Sequence, residues 1–382
     1  MTSQERIVQE FIELVQVDSE TMHEEEISIV LKKKFSELGL KVVEDDSKER
    51  TGHGAGNLII TWEADQLKEA PHIFFTCHMD TVTPGVGIKP SLGEDGWITS
   101  DGTTILGADD KAGIAAIFEA IRVIQEQKIP HGQVQFIITA GEESGLRGAR
   151  AFDPKHLDAE FGYAIDSNGE IGAIAVAAPT QAKISMTIIG KSAHAGVNPE
   201  DGISAIQVAS KAISRMKLGR IDHETTANIG KFSGGGPTNI VCDRVQLDAE
   251  ARSIVQEKVD KQIAQMREAL ETTAREYNAE SEFRSEILYP AFNFSENDAV
   301  VQLAQRAIGN LGLTSRVFHS GGGSDANIFN GFGIPTVNLA LGYENIHTTK
   351  ERIKAADMLK ASEMVVAIIQ ESGKLSSKVE VL

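Results

Sequence analysis

The run Ile73-Phe74-Phe75-Thr76-Cys77 shows no alternation of polar and apolar residues. A strand of that kind is buried on both faces, which requires a sheet covered by helices on each side. Further strands are predicted at residues 57–62, 134–139 and 162–165. Between and before them, apolar residues recur at helical spacing: Ile7, Phe11, Leu14 and Val15, then Ile27, Val30, Leu31 and Phe35, then the Ala- and Ile-rich residues 110–127. Short buried strands alternating with helices predict an α/β layer architecture.

The pattern changes after residue 178. Ile184, Met186 and Ile188 alternate with polar residues, as in a half-exposed antiparallel strand. A helix over 203–216, strands near 226–232 and 245–252, a long helix over 255–277 and a strand over 282–288 complete a βαββαβ order, which is ferredoxin-like. The chain then returns to α/β character, with helices over 298–311 and 355–372 and strands over 316–318 and 336–341. Residues 1–178 and 290–382 are therefore expected to form one discontinuous α/β domain, interrupted by an α+β module over 179–289. Ala178-Pro179 and Tyr289-Pro290 mark the seams, and residues 375–382 are expected to fray.

A chain of 382 residues exceeds the usual size of one core and fits two domains. Its net charge of −18 disfavours nucleic acid and anionic membrane surfaces as partners. No apolar stretch approaches the roughly 18 residues of a membrane span, and the first residues show neither the basic nor the apolar region of a secretory signal. Two cysteines, Cys77 and Cys242, cannot build a disulfide framework and fit a reducing cytoplasm.

Five polar clusters fall where predicted strands meet loops: His78-Met79-Asp80, Ala108-Asp109-Asp110-Lys111, Gly141-Glu142-Glu143-Ser144, Ile165-Asp166-Ser167 and Asn345-Ile346-His347-Thr348. In open α/β sheets that edge is where ligands collect. Each cluster alone has an ordinary explanation: a hydrogen-bonded histidine, a helix cap, a solvated corner, a turn. Those explanations must be invoked separately, whereas one site explains all five. Two histidines with three or four carboxylates suit two divalent cations, zinc first. His78 and Asp80, two apart on a strand, point to the same side, so the aspartate is placed to support the histidine's second ring nitrogen.

The strings His78-Met79-Asp80-Thr81-Val82, Gly107-Ala108-Asp109-Asp110-Lys111-Ala112-Gly113 and Gly141-Glu142-Glu143-Ser144-Gly145 resemble the M20 family of metallopeptidases. The second string resembles its peptidase T branch of tripeptide aminopeptidases. The resemblance covers essentially the whole chain, including the position of the insert. It implies a zinc-dependent exopeptidase-type catalytic domain with an inserted lid and dimerisation domain, hence a homodimer. It also implies two Zn2+ per subunit, with Co2+ or Mn2+ as substitutes. By resemblance, Asp109 bridges the ions, His78 and Asp166 complete one ligand set, and Glu143 and His347 the other. Asp80 orients His78, Glu142 is the general base, and the Asp109–Asp110 bond is a cis peptide.

That chemistry is coherent: two cations sharing a carboxylate acidify water, while an unligated neighbouring carboxylate takes its proton and passes it to the leaving amine. In the insert, His194 of Ser192-Ala193-His194-Ala195-Gly196 resembles a histidine that stabilises the tetrahedral oxyanion in a partner subunit's site. Asn239 and Arg252 resemble residues that hold a substrate carboxylate, the arginine by its fork; a salt bridge on the insert strand is the competing reading of Arg252. Ser320-Gly321-Gly322-Gly323-Ser324-Asp325 resembles a glycine-rich substrate loop, with Gly322 at its centre.

The expected substrate is a short peptide with a free amino terminus. Carboxypeptidase and N-acyl-amino-acid deacylase activities share these core motifs and stay open, the Ser192–Gly196 segment being closer to the wider family. A non-catalytic metal- or nucleotide-binding protein is the reading from another class. Against it, Gly190-Lys191-Ser192 has Ser185 where a P-loop needs its first glycine. His23, His53, His72, His131, His156, His223 and His319 lack carboxylate company in sequence and are assigned to structure or surface.

Overall fold

The computed structural model describes residues 2–375, so most of the segment expected to fray lies outside the described residues. The chain divides into two compact units. The first comprises Met1–Ala177, Phe294–Ser320 and Ser324–Leu382; the second comprises Ala178–Asn293 with Gly321–Gly323.

The first unit is built on a mixed sheet. Its strands run in the order Lys41–Glu44, Leu58–Trp62, Val134–Thr139, Ile73–His78, Phe161–Ser167, Thr336–Ala340, Ala173–Ala178. The central four are parallel, while Leu58–Trp62 and Ala173–Ala178 join antiparallel. Every residue of Ile73–His78 is buried, because the two faces of this strand serve two different cores. Phe75 packs on Phe136 and Tyr163, with ring centroids 6.1 and 5.8 Å apart. Phe74 points the other way onto Phe329, at 4.8 Å. Burying a side chain of this size contributes about 1.5–3 kcal/mol, so a polar residue in place of Phe74 or Phe75 would be strongly unfavourable.

Helices cover the sheet. Ser3–Val15 begins at a Thr2–Glu5 capping box and buries Ile7, Phe11, Leu14 and Val15, the spacing of one helical face. Ala108–Gln127 and Ala355–Ser372 pack beside it. Ala108–Gln127 is not helical throughout: Asp109 and Asp110 have non-helical backbone angles, so the regular helix starts later.

Ile73–His78 has the next strand of this sheet in sequence order, Val134–Thr139, on one side and the one after it, Phe161–Ser167, on the other. The order therefore reverses at Ile73–His78. Crevices at such switch points, outside the carboxyl ends of parallel strands, are where α/β sheets bind ligands. His78, Glu142, Glu143 and Asp166 all lie at or just beyond those ends.

The second unit has an antiparallel sheet in the order Thr225–Gly234, Arg244–Ser253, Thr180–Ile189, Glu280–Tyr289, with a short Gly219–Arg220 strand beside the first. Helices Ala205–Arg215 and Gln256–Glu276 pack on one face of it. This is the ferredoxin-like βαββαβ arrangement. Glu280–Tyr289 pairs only with Thr180–Ile189, leaving one sheet edge without a partner strand among the described residues.

Candidate metal centre

Asp109 is the hub. Its Oδ1 lies 3.0 Å from His78 Nε2 and its Oδ2 lies 3.2 Å from His347 Nε2. Asp166 Oδ1 is 3.9 Å from His78 Nε2, and Glu143 Oε1 is 3.0 Å from His347 Nε2. Three groups of potential donors result, His78–Asp109–Asp166, His78–Glu142–Glu143 and Asp109–Glu143–His347, with the ligand atoms of each within 4.8 Å of one another. The first and the third share Asp109. The Asp109–Asp110 peptide is cis.

His78, Glu143 and Asp166 are held from behind. His78 Nδ1 donates to the Asp80 carbonyl at 2.9 Å, with the Asp80 carboxylate 3.5 Å away. The Asp80 carboxylate, fully buried, accepts the amides of Glu142 and Glu143 at 3.0 and 3.1 Å. Tyr343 donates its hydroxyl to Asp166 Oδ1 at 3.1 Å, and Asn338 brackets the Asp166 backbone by accepting from its amide and donating to its carbonyl. His53, assigned by sequence to structure or surface, is buried beside the Glu142 turn, with Nε2 2.8 Å from Ser144 Oγ.

Gly113 marks how tightly this region is built. A Cβ there would stand 2.6 Å from Asp110 Oδ1, 2.7 Å from the Ile165 carbonyl and 2.8 Å from Cys77 Sγ.

The electrostatics are those of carboxylates crowded around two imidazoles. Burial opposes the His78 imidazolium, yet Asp109 and Asp80 outweigh it and hold the pKa well above the ordinary value. Asp109 and Glu143 push His347 up to about 10. Burial raises the carboxyl pKa values of Glu142, Glu143 and Asp166, and neighbouring carboxylates add to the rise. Asp109 is held below the usual range: burial acts upward, but His347 and His78 prevail.

Protons on the two histidines thus take the place that cations suit better. Glu143 Oε1 is buried and receives no hydrogen bond, despite its closeness to His347. A buried carboxylate oxygen without a donor is costly unless a positive ion faces it. Two imidazoles and three carboxylates meet the N/O preference of zinc, whose sites take both ligand types. The donor set fits the group.

The insert residues lie in the second unit. His194 is exposed, and its Nδ1 accepts from the amides of Gly196 and Val197 at 3.1 Å each. That assigns the ring proton of the neutral form to Nε2, which faces away as a donor. Asn239 lies next to it: its carbonyl accepts the Ala195 amide at 2.9 Å, and Ile240 pairs with His194 in a β-bridge. Arg252 grips Glu250 bidentately at 2.9 and 3.0 Å and reaches the Gly321 carbonyl only at 3.5 Å. Nothing surrounds a Cβ built on Gly322, whereas one on Gly323 would strike the Tyr289 ring at 2.3 Å. Within the glycine run, Gly323 is the position that packing reserves for glycine.

A helix-covered sheet with clustered imidazole and carboxylate donors at its switch point defines a metal-dependent hydrolase class. The chain belongs to peptidase family M20/M25/M40, which it matches over residues 74–371. It is 57% identical over 374 residues to the uncharacterized protein YqjE of Bacillus subtilis (strain 168), covering 98% of this chain and 100% of that one. The crystal structure of aminopeptidase PepT from Bacillus cereus ATCC 10987 is 59% identical with a TM-score of 0.92, covering 97% and 99% of the two chains. That of a tripeptidase from Staphylococcus aureus subsp. aureus Mu50 is 51% identical with a TM-score of 0.94 and the same coverage. The chain is thus a hydrolase of the peptidase class, most like peptidase T. Among the described residues no helix is long and apolar enough to cross a membrane.

Proposed function

We propose that this chain is a dinuclear zinc aminopeptidase that removes the first residue of short peptides, tripeptides foremost. The observation that carries the reading is the sharing of Asp109 between two donor groups; Glu142 falls only in a third group, with His78 and Glu143, and the reading leaves it free to act as the base. The similar aminopeptidase PepT and tripeptidase support the substrate class.

His78, Asp109 and Asp166 hold one ion, and Asp109, Glu143 and His347 the other. Zinc, for which cobalt or manganese substitutes, supplies Lewis acidity toward a peptide carbonyl and acidifies water. The remaining work belongs to the chain. Glu142 takes the proton of the attacking water and returns it to the leaving amine, a role suited to a carboxyl whose pKa burial raises. Asp80 holds the turn that aims Glu142 and Glu143.

The insert, residues 179–289, acts as a lid and pairs subunits through its open strand edge or its helices. His194 Nε2 donates to the oxyanion in the partner's site, while Asn239, Gly322 and the Nη1 edge of Arg252 receive the peptide carboxylate. The Arg252–Glu250 pair limits what that arginine can give, because two of its nitrogens are already engaged. A cytoplasmic setting agrees with two free cysteines, Cys77 buried and Cys242 half-buried.

The deciding experiment compares a free tripeptide with its N-acetylated form under the same zinc concentration. The aminopeptidase cleaves the free peptide, releasing its first residue. Faster hydrolysis of the acetylated form would assign a deacylase, and release of the last residue a carboxypeptidase.

A further inference from the structure

Two segments of the metal centre are joined by a buried carboxylate to which none of the roles above gives a task. Glu351 is 1% exposed. Its Oε2 accepts the amides of Leu106 and Gly107, each at 2.8 Å, and its Oε1 accepts the amide of Asp109 at 3.0 Å. Three main-chain donors converge on one side chain from a stretch about 240 positions away in sequence.

At its own end, Glu351 closes the turn that presents His347. Its amide donates to the Thr348 carbonyl at 3.1 Å, and Thr348 Oγ1 donates to the Asn345 carbonyl at 2.7 Å. Asn345 and His347 both have left-handed backbone angles, with φ of 56° and 61°. Residues other than glycine adopt that region only when the surroundings favour it. His347 is exposed, so packing against its side chain does little to hold it. Its placement depends on the backbone of this turn, which the paired main chains of Glu344 and Arg352 close and which the Glu351 side chain ties to the Leu106–Asp109 segment.

We propose that Glu351 is a positioning residue that fixes the shared ligand Asp109 against His347 and thereby sets the affinity of one ion, the one held by Asp109, Glu143 and His347. The inference rests on the two-ion reading above. In that donor group, Glu351 anchors the segments of two members, Asp109 directly and His347 through its turn. In the other group it anchors Asp109 alone, since His78 is held by the Asp80 carbonyl and Asp166 by Tyr343 and Asn338. Loss of Glu351 must therefore act unequally on the two ions. A carboxylate that merely stabilised the fold would weaken both alike.

The Glu351→Gln side chain keeps the volume but turns an amide NH2 toward main-chain N–H groups, so it cannot accept from all three. Glu351→Asp keeps the charge and falls short by one methylene. The test titrates the metal-free full-length chain with Co2+, following heat and the visible cobalt absorption, with circular dichroism reporting whether each variant is folded. Wild type takes up two ions. Glu351→Gln keeps one affinity within about threefold and loses about 10- to 100-fold in the other, the range typical when the support of a metal ligand is removed. Glu351→Asp falls between, and carries the test alone if Glu351→Gln does not fold. Wild-type protein binding a single ion would overturn the two-ion reading and this inference with it. Two ions in wild type, with variants that bind both as wild type does or weaken both equally, would overturn this inference and leave the two-ion reading standing.

Discussion

Asp80 Oδ1 accepts the main-chain amide of Glu142 at 3.0 Å, and the same carboxylate accepts that of Glu143 through Oδ2. One residue therefore supports His78 through its carbonyl and the turn carrying Glu142 and Glu143 through its side chain. Asp80→Asn can accept only one of the two amides and presents an NH2 to the other. The expected result is a 10- to 100-fold fall in kcat with less change in metal content. Metal analysis beside steady-state kinetics checks it; parallel losses of metal and rate would assign Asp80 to metal retention instead.

Glu142 and Glu143, adjacent in sequence, separate by substitution. Glu142→Gln is expected to keep its metal and lose about 10²- to 10⁴-fold in turnover. Glu143→Ala is expected to lose metal first. A Glu142→Gln enzyme with full metal and near wild-type turnover would remove Glu142 from the role of base.

Metal loading is expected to tighten as pH rises. His347, with a pKa pushed up to about 10 in the metal-free site, must give up its proton to bind an ion. Apparent affinity thus weakens about tenfold for each pH unit below that value from this group alone. The linkage to stability has a definite sign. A histidine whose folded pKa is raised stabilises the metal-free fold fully below its unfolded value near 6.5, and that contribution fades as pH rises through about 10. The gap in unfolding temperature between zinc-loaded and chelator-treated protein should therefore widen from pH 6 to pH 9. A narrowing gap would contradict the assignment.

Gly113→Ala is expected to destabilise the fold by about 1–3 kcal/mol, the range of core overpacking. The added methyl group meets a main-chain carbonyl and two buried side chains within 3 Å. Denaturant unfolding measures the change; an unaltered midpoint would mean that the strand and the diverted helix start separate easily.

Mixed dimers test the trans role of His194. Glu142→Gln and His194→Ala subunits, each inactive alone, should recover up to about a quarter of wild-type activity in an equal mixture, because one of the two sites in each mixed dimer is intact. Verified mixed dimers without activity would restrict His194 to its own subunit.

The buried strand at residues 73–77 and the donor motifs were legible because each depends on local pattern. An apolar run ends and a metal-binding residue type follows. The βαββαβ order was legible for the same reason, the period changing from strand to helix and back. Ala173–Ala178 was not recognised as a strand: alanine has little β preference, and this segment is held by pairing with Thr336–Ala340 and Arg316–His319. Nor did sequence reveal Tyr343, Asn338 or Glu351. Their partners lie at separations of 177, 172 and 242 residues, and no spacing rule spans such distances. His53 was set aside for lack of neighbouring carboxylates in sequence, although folding puts it against the turn that carries Glu142 and Glu143.

The discontinuous first unit also fixes a timetable. His78, Asp109, Glu143 and Asp166 precede the insert, and His347 follows it. At translation speeds of about 5–20 residues per second, the ribosome needs on the order of ten seconds or more between Asp166 and His347. Over that interval the emerging chain carries four of the five donors, while the strand bearing Asp166 has yet to receive Thr336–Ala340 at its side. On the two-ion reading, full metal capture waits for His347, and a polypeptide stalled within the insert holds an acidic half-site that lacks its second imidazole.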